Sequence, residues 1–164
     1  MHFMVTTVDP YPSTRNRAAV GEGLDGVVRV TAQGFYGSGA LLYDGRAVLT
    51  SAHLLVSARA PDVTVTFETR DGSISMPAYK IVIHPQYDPL SLSNDLALVW
   101  LASSAPVTAE RYTLYRECDE ASQAFRLVGY GLPGSGQSGY DAQFTGVTDR
   151  RNGARDVRRN GASF

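Results

Sequence analysis

The feature that most limits how this chain can fold is its rhythm between Gly26 and Leu101. Short strand-forming runs follow one another there: GVVRVTA, SGALLYD, RAVLT, DVTVTFE, SISMPAYKIVIH and DLALVWL. Gly, Pro, Asp or Asn interrupts them at short intervals, while Val, Ile, Leu, Thr and Tyr fill them. Branched and aromatic side chains suit a pleated, half-buried surface, and the interrupting residues suit turns. VTVTF alternates strictly, which sends one set of side chains inward and the other toward water. Asp44-Gly45, between ALLY and RAVLT, is a hairpin signal, because a tight two-residue turn needs positive φ. No segment keeps a long 3.6-residue period, so the chain reads as all-β.

Bulk composition narrows the class further. A chain of 164 residues can bury one good core or two small ones. With 43% hydrophobic and 19% charged residues and a formal net charge of −1, it reads as globular and not as disordered. The charge lacks the basic excess of a nucleic-acid binder, and no apolar run reaches membrane-spanning length. Cys118 is the only cysteine, so no internal disulfide forms, and packing must supply the stability. Its acidic neighbours Glu117, Asp119 and Glu120 oppose thiolate formation, which makes a reactive thiol a poor expectation. No two His or Cys residues stand at ligand spacing, so neither a metal nor another cofactor is expected.

Outside the strand-rich stretch the character changes. Residues 1 to about 17 show no periodic apolar face and read as an extended leader. APVTAERYTLYRECDEAS, from Ala105, lacks alternation and reads as a connector. A second set of strands begins at Gln123 with QAFRLVGYG, then comes the loop GLPGSGQSGYD, then AQFTGVT. After Asp149 the tail RRNGARDVRRNGASF is basic and turn-rich; it shows no core face and is expected to be disordered in isolation.

Two stretches carry candidate chemistry. VLTSAH ends at His53, and NDLALVWL carries Asp95 as its second residue. Each sets one ionisable side chain against an apolar strand, as a scaffold must to hold a proton acceptor and the carboxylate that orients it. Taken singly, His53 reads as a packed histidine and Asp95 as a polar strand start. His84 in HPQYD competes for the histidine role, although Pro85 restricts it to extended or turn geometry. His2 lies in the leader, and Trp100 reads most simply as a core residue.

Taken in order, five segments resemble the trypsin-like serine proteases of the chymotrypsin fold: GSGALL (Gly37–Leu42), VLTSAH, HPQYD (His84–Asp88), NDLALVWL and LVGYG (Leu127–Gly131). The resemblance covers roughly Val20 to Thr148. It is closest to cysteine-poor bacterial members, because the cysteine that usually follows the catalytic histidine is here Leu54. It implies a double β-barrel, with residues 19–104 as the first barrel, 105–122 as the connector and 123–164 as the start of an incomplete second one. Residues 1–18 then become a leader or pro-like segment. Matched by motif, His53 is the general base and Asp95 its partner in peptide-bond hydrolysis through an acyl-enzyme. Polypeptide substrates or protein inhibitors are the implied partners, with no role for nucleic acid or membrane.

The family's nucleophile sits in a GDSGG motif, and nothing in this sequence matches it. Ser138 in GQSG follows LVGYG too closely and lacks both the preceding aspartate and the second glycine. The expectation is therefore a piece of a serine endopeptidase whose remainder carries the serine, inactive by itself. The alternatives are a catalytically dead barrel that binds protein partners, or a chain completed by a second polypeptide. An unfinished barrel exposes strand edges and apolar surface, so self-association is expected. Arg17 before Ala18-Ala19-Val20-Gly21 resembles the family's activation boundary, with alanine in place of the bulky first residue. No secretory signal is visible in MHFMVTTVDPYPS, whereas the resemblance implies export to the periplasm or outside the cell, so the compartment stays open.

Overall fold

A computed structural model describes residues 17–119, 124–132, 134–135, 139–140 and 150–156. The leader with His2, Ser138, the AQFTGVT run and the last residues of the tail lie outside them. The strand-rich stretch forms β1 (Val27–Ala32), β2 (Phe35–Leu41), β3 (Ala47–Thr50), β4 (Val63–Thr69), β5 (Gly72–Ile83) and β6 (Ala97–Leu101). They close into an antiparallel barrel in the order β1-β2-β3-β6-β5-β4, β1 pairing with both β2 and β4. The all-β reading is thereby met, with one closed barrel in the stretch expected to form the first. Among the described residues no helix is long and apolar enough to cross a membrane.

Period-2 patterning decides which side chains fill the barrel. Val28, Val30 and Ala32 of β1 point inward, with Val63, Val65 and Phe67 of β4 and Ala97, Val99 and Leu101 of β6. Trp100 stands between the inward Val99 and Leu101 and is only partly buried, so it is not the core residue expected. Alternation overrides its size: its neighbours across the sheet are Ala47 and Lys80. The hairpin expected at Asp44-Gly45 forms, but through a loop longer than two residues in which only Gly45 has positive φ, at +69°, and the Asp44 carboxylate accepts the Arg46 and Ala47 N–H groups. Gly39 is required for a different reason: a Cβ there would lie 2.6 Å from Val48 Cγ1 and 2.9 Å from Val30 Cγ2.

One strand does double duty. The first half of β5, Gly72 to Pro77, pairs with β4, and its second half, Ala78 to Ile83, pairs with β6. The register shifts between Ala78 and Lys80, so Tyr79 is the extra residue, and it is 72% exposed. Such a bulge sharpens local bending, which lets a single strand turn a barrel corner.

Part of the tail is ordered by pairing that its sequence does not announce. Arg151–Asp156 is a strand, β10, paired antiparallel with β7 (Ala124–Gly129), while β8 (Gly134–Ser135) and β9 (Gly139–Tyr140) form a short hairpin. The pairing uses main-chain groups, which a basic, turn-rich sequence conceals. Arg150, just before β10, is fully buried, and its Nη2 reaches Asp25 Oδ1 at 2.7 Å with both side chains 1% exposed. Asp25 also accepts the Gly21 N–H, and Arg150 donates to Ala19 O, while the Ala18 N–H donates to Arg150 O at 3.0 Å. This cluster fixes the segment from Ala18 to Asp25 against the barrel. The connector packs there too, with Ala105 and Ala109 buried and the Tyr112 N–H bonded to Leu41 O.

A buried ion pair is costly to break and cheap to replace whole. Asp25→Ala or Arg150→Met alone is expected to destabilise the fold by about 3–5 kcal/mol in urea unfolding, because one charge is left buried without its partner. Asp25→Leu combined with Arg150→Met should recover most of that loss. Additive losses would show that the ion pair is not the anchor.

Candidate active site

The β3–β6 ladder determines where His53 and Asp95 meet. Thr50, the last residue of β3, pairs with Ala97, the first of β6, so the chain leaving one strand and the chain entering the other share one rim. Beyond β3, Ser51 is extended, and Ala52–Leu54 makes a single 3-10 turn closed by the Leu55 N–H on Ala52 O. Ala52 and Leu55 are fully buried and fasten this turn to the core, while His53 between them stays partly exposed. A small residue before the histidine thus lets the turn pack flat.

Asp95 comes off a knitted loop. The His84 N–H donates to Leu96 O at 2.9 Å, and the Asp88 N–H donates to Ser93 O. The Asp88 carboxylate accepts the Leu90 N–H and the Ser91 hydroxyl. Asn94 Nδ2 donates to Gln86 O at 3.0 Å. Leu92 at φ +57° and Asn94 at φ +54° both take left-handed backbone just ahead of Asp95, a conformation that is costly for leucine and tolerable for asparagine.

Both oxygens of the Asp95 carboxylate face His53. Oδ2 lies 2.7 Å from the ring Nδ1, and Oδ1 accepts the His53 backbone N–H at 2.8 Å. The histidine side chain is 32% exposed and the aspartate 15%. Burial raises the Asp95 pKa, but the hydrogen bonds from the His53 ring and backbone, the His53 charge and the Ala52 N–H outweigh it. The carboxyl therefore sits below its ordinary value of 3.8. An ionised carboxylate only accepts, so Nδ1 carries the hydrogen, and in the neutral ring the basic lone pair falls on Nε2. A cavity of about 460 Å³ opens at Asp95, lined also by Ser38, Thr50, Ser51, Leu92 and Asn94.

The other candidates stand apart from this contact. His84 Nδ1 accepts the Gln86 N–H at 3.2 Å, an interaction within its own turn. Cys118 is exposed. Among the described residues no group of three or more His, Cys, Asp or Glu side chains could hold a metal ion. The main-chain bond from His53 to Asp95 is one that no residue type signals. The left-handed backbone of Asn94 has one sign in the sequence, the Asn-Asp pair.

Comparison with known proteins agrees with this architecture. The family model described as Trypsin matches residues 16–159. Trypsin Blo t 3 of Blomia tropicalis is 28% identical over 109 residues, which cover 62% of this chain and 41% of that protein. The scabies mite inactivated protease paralogue S-D1 superposes with a TM-score of 0.70 at 16% identity, covering 87% of this chain and 61% of the other. Neuropsin, a serine protease expressed in the limbic system of mouse brain, superposes at 0.67 with 18% identity, over 88% and 64%. At such identities the two structures speak for the fold alone. The chain spans less than two thirds of each of these three proteins. None of them supports the expected closeness to cysteine-poor bacterial members.

The lowered Asp95 pKa carries a sign that can be measured. A carboxyl depressed in the folded state stabilises the fold above its unfolded pKa, and that contribution is lost as pH falls through the folded value. At neutral pH the wild type should be more stable than Asp95→Asn by about 1 kcal/mol, the margin of a charged over a neutral hydrogen bond. Urea unfolding at decreasing pH should show this gap closing below 3.8. A gap that stays constant into strong acid would rule out ionised Asp95 as its source.

Proposed function

Since the chain belongs to the trypsin family, we propose that it supplies the base and the orienting carboxylate of a serine endopeptidase, His53 being the base and Asp95 its partner. The observation that carries the reading is the double contact of Asp95 with His53, at 2.7 Å to the ring and 2.8 Å to the backbone. A serine hydroxyl is a weak nucleophile until a base takes its proton during attack on the scissile carbonyl. His53 Nε2 accepts that proton, and the new O–C bond gives a tetrahedral intermediate. The imidazolium then passes the proton to the leaving amine nitrogen as the C–N bond breaks. Water repeats the sequence on the acyl-enzyme and releases the acid. Throughout, Asp95 stays ionised, fixes the Nδ1–H tautomer and offsets the charge on the ring.

The serine belongs to the whole protein in this reading. No GDSGG occurs in the 164 residues, and on this reading the chain by itself is expected to leave peptide bonds intact. Polypeptide substrates or protein inhibitors are the partners that such a site takes, and no cofactor enters the reaction.

The test is a fluorophosphonate probe on the full gene product, followed by peptide-hydrolysis kinetics. The product should be labelled. Asp95→Asn should cut kcat on the order of 10⁴-fold, the loss that this change brings in Ser-His-Asp triads, and His53→Ala on the order of 10⁶-fold. Labelling that is indifferent to His53→Ala would remove the proposal. A folded barrel silent to the probe would instead favour a catalytically inactive module that binds protein partners.

A further inference from the structure

Asp95 is the middle residue of a γ-turn. The Leu96 N–H donates to Asn94 O at 2.7 Å, an i to i+2 bond that bends the chain sharply at the carboxylate-bearing residue. The turn is of the inverse kind, since the positive φ falls on Asn94 and not on Asp95. Both neighbours of Asp95 are fastened to one short arm. Asn94 Nδ2 donates to Gln86 O at 3.0 Å, and Leu96 O accepts the His84 N–H at 2.9 Å. The arm is itself braced, because the Gln86 N–H donates to the His84 ring.

We propose that Asn94 is a positioning residue that aims the Asp95 carboxylate at His53, through its left-handed backbone and its amide bond to the Gln86 carbonyl. The inference rests on the reading of His53 and Asp95 as base and partner. Meeting a ring nitrogen and a backbone N–H together demands a fixed direction for the Asp95 Cα–Cβ bond, and the turn that begins at Asn94 sets it. Asparagine suits the task because it is one of the few residues with a side chain that enters left-handed backbone readily, and its amide supplies the donor that the Gln86 carbonyl accepts. Glycine offers the backbone without the donor. Aspartate tolerates the backbone but turns an acceptor toward the carbonyl. Alanine offers neither.

Those differences make the test. In this chain the proton between His53 Nδ1 and Asp95 should give a downfield ¹H resonance that is absent from Asp95→Ala. Asn94→Ala should lose that resonance while circular dichroism still reports the folded barrel. Asn94→Gly should restore it in part, and Asn94→Asp should not restore it. In the full gene product, Asn94→Ala should lower kcat about 10²-fold with little change in KM, the size of loss that a small misplacement of a catalytic group brings. A resonance that survives Asn94→Ala, or losses that track only the melting temperature across all three variants, would overturn the inference. A wild-type chain without the resonance would overturn the His53–Asp95 pairing itself, and the positioning role with it. Should Asn94→Ala fail to fold, the Gly and Asp variants decide: equal behaviour of the two refutes the amide's part.

Discussion

The pairing of β3 with β6 is the constraint from which the rest of the site follows. Thr50 opposite Ala97 sets the exit of one strand beside the entrance of the other, and the imidazole and carboxylate are carried on those two ends. A slip of one residue would turn every side chain of β6 to the opposite face, taking Val99 and Leu101 out of the core and drawing Asp95 along the rim. Core packing and site geometry therefore depend on the same register. A one-residue slip of β6 spoils both at once.

A second constraint is a buried ion pair. The Asp25–Arg150 pair is buried almost completely, in a fold whose only cysteine is exposed and unbridged. It joins three stretches distant in sequence: the segment before β1, the barrel and the approach to β10. Tyr130 lies next to the same region, with the Arg29 guanidinium 5.6 Å from its ring centre and its N–H donated to Ser38 Oγ. Burial and the neighbouring Glu68 push the Tyr130 phenol far above its ordinary pKa. Polar groups here fix how the later strands meet the barrel, a directional task that apolar contact alone performs poorly.

What could be read from the chain and what could not divide along physical lines. Strand identity was legible wherever side chains alternate, as in VTVTFET and ALVWL, and the Asp44-Gly45 turn was legible because its chemistry is local. β10 was hidden, since RNGARD offers no apolar face and its order comes from main-chain pairing with β7. Burial of Arg150 was hidden too, because its partner Asp25 lies far back in the chain and a charged residue beside further arginines reads as surface. Trp100 misled through size, as its place in the alternation determines its exposure. His53 and Asp95 were legible as a pair only through the family pattern, while the loop that bends the chain ahead of Asp95 depends on backbone angles that composition does not record.

The bond from the His53 backbone N–H to Asp95 has a consequence for how such a scaffold changes over time. It belongs to the main chain, so any residue other than proline at position 53 can donate it. A lineage that loses the imidazole thus keeps half of the tether on the carboxylate, and the rim retains its shape. Chemistry in this architecture is easier to discard than form, which leaves an idle descendant free to be selected for its surface alone.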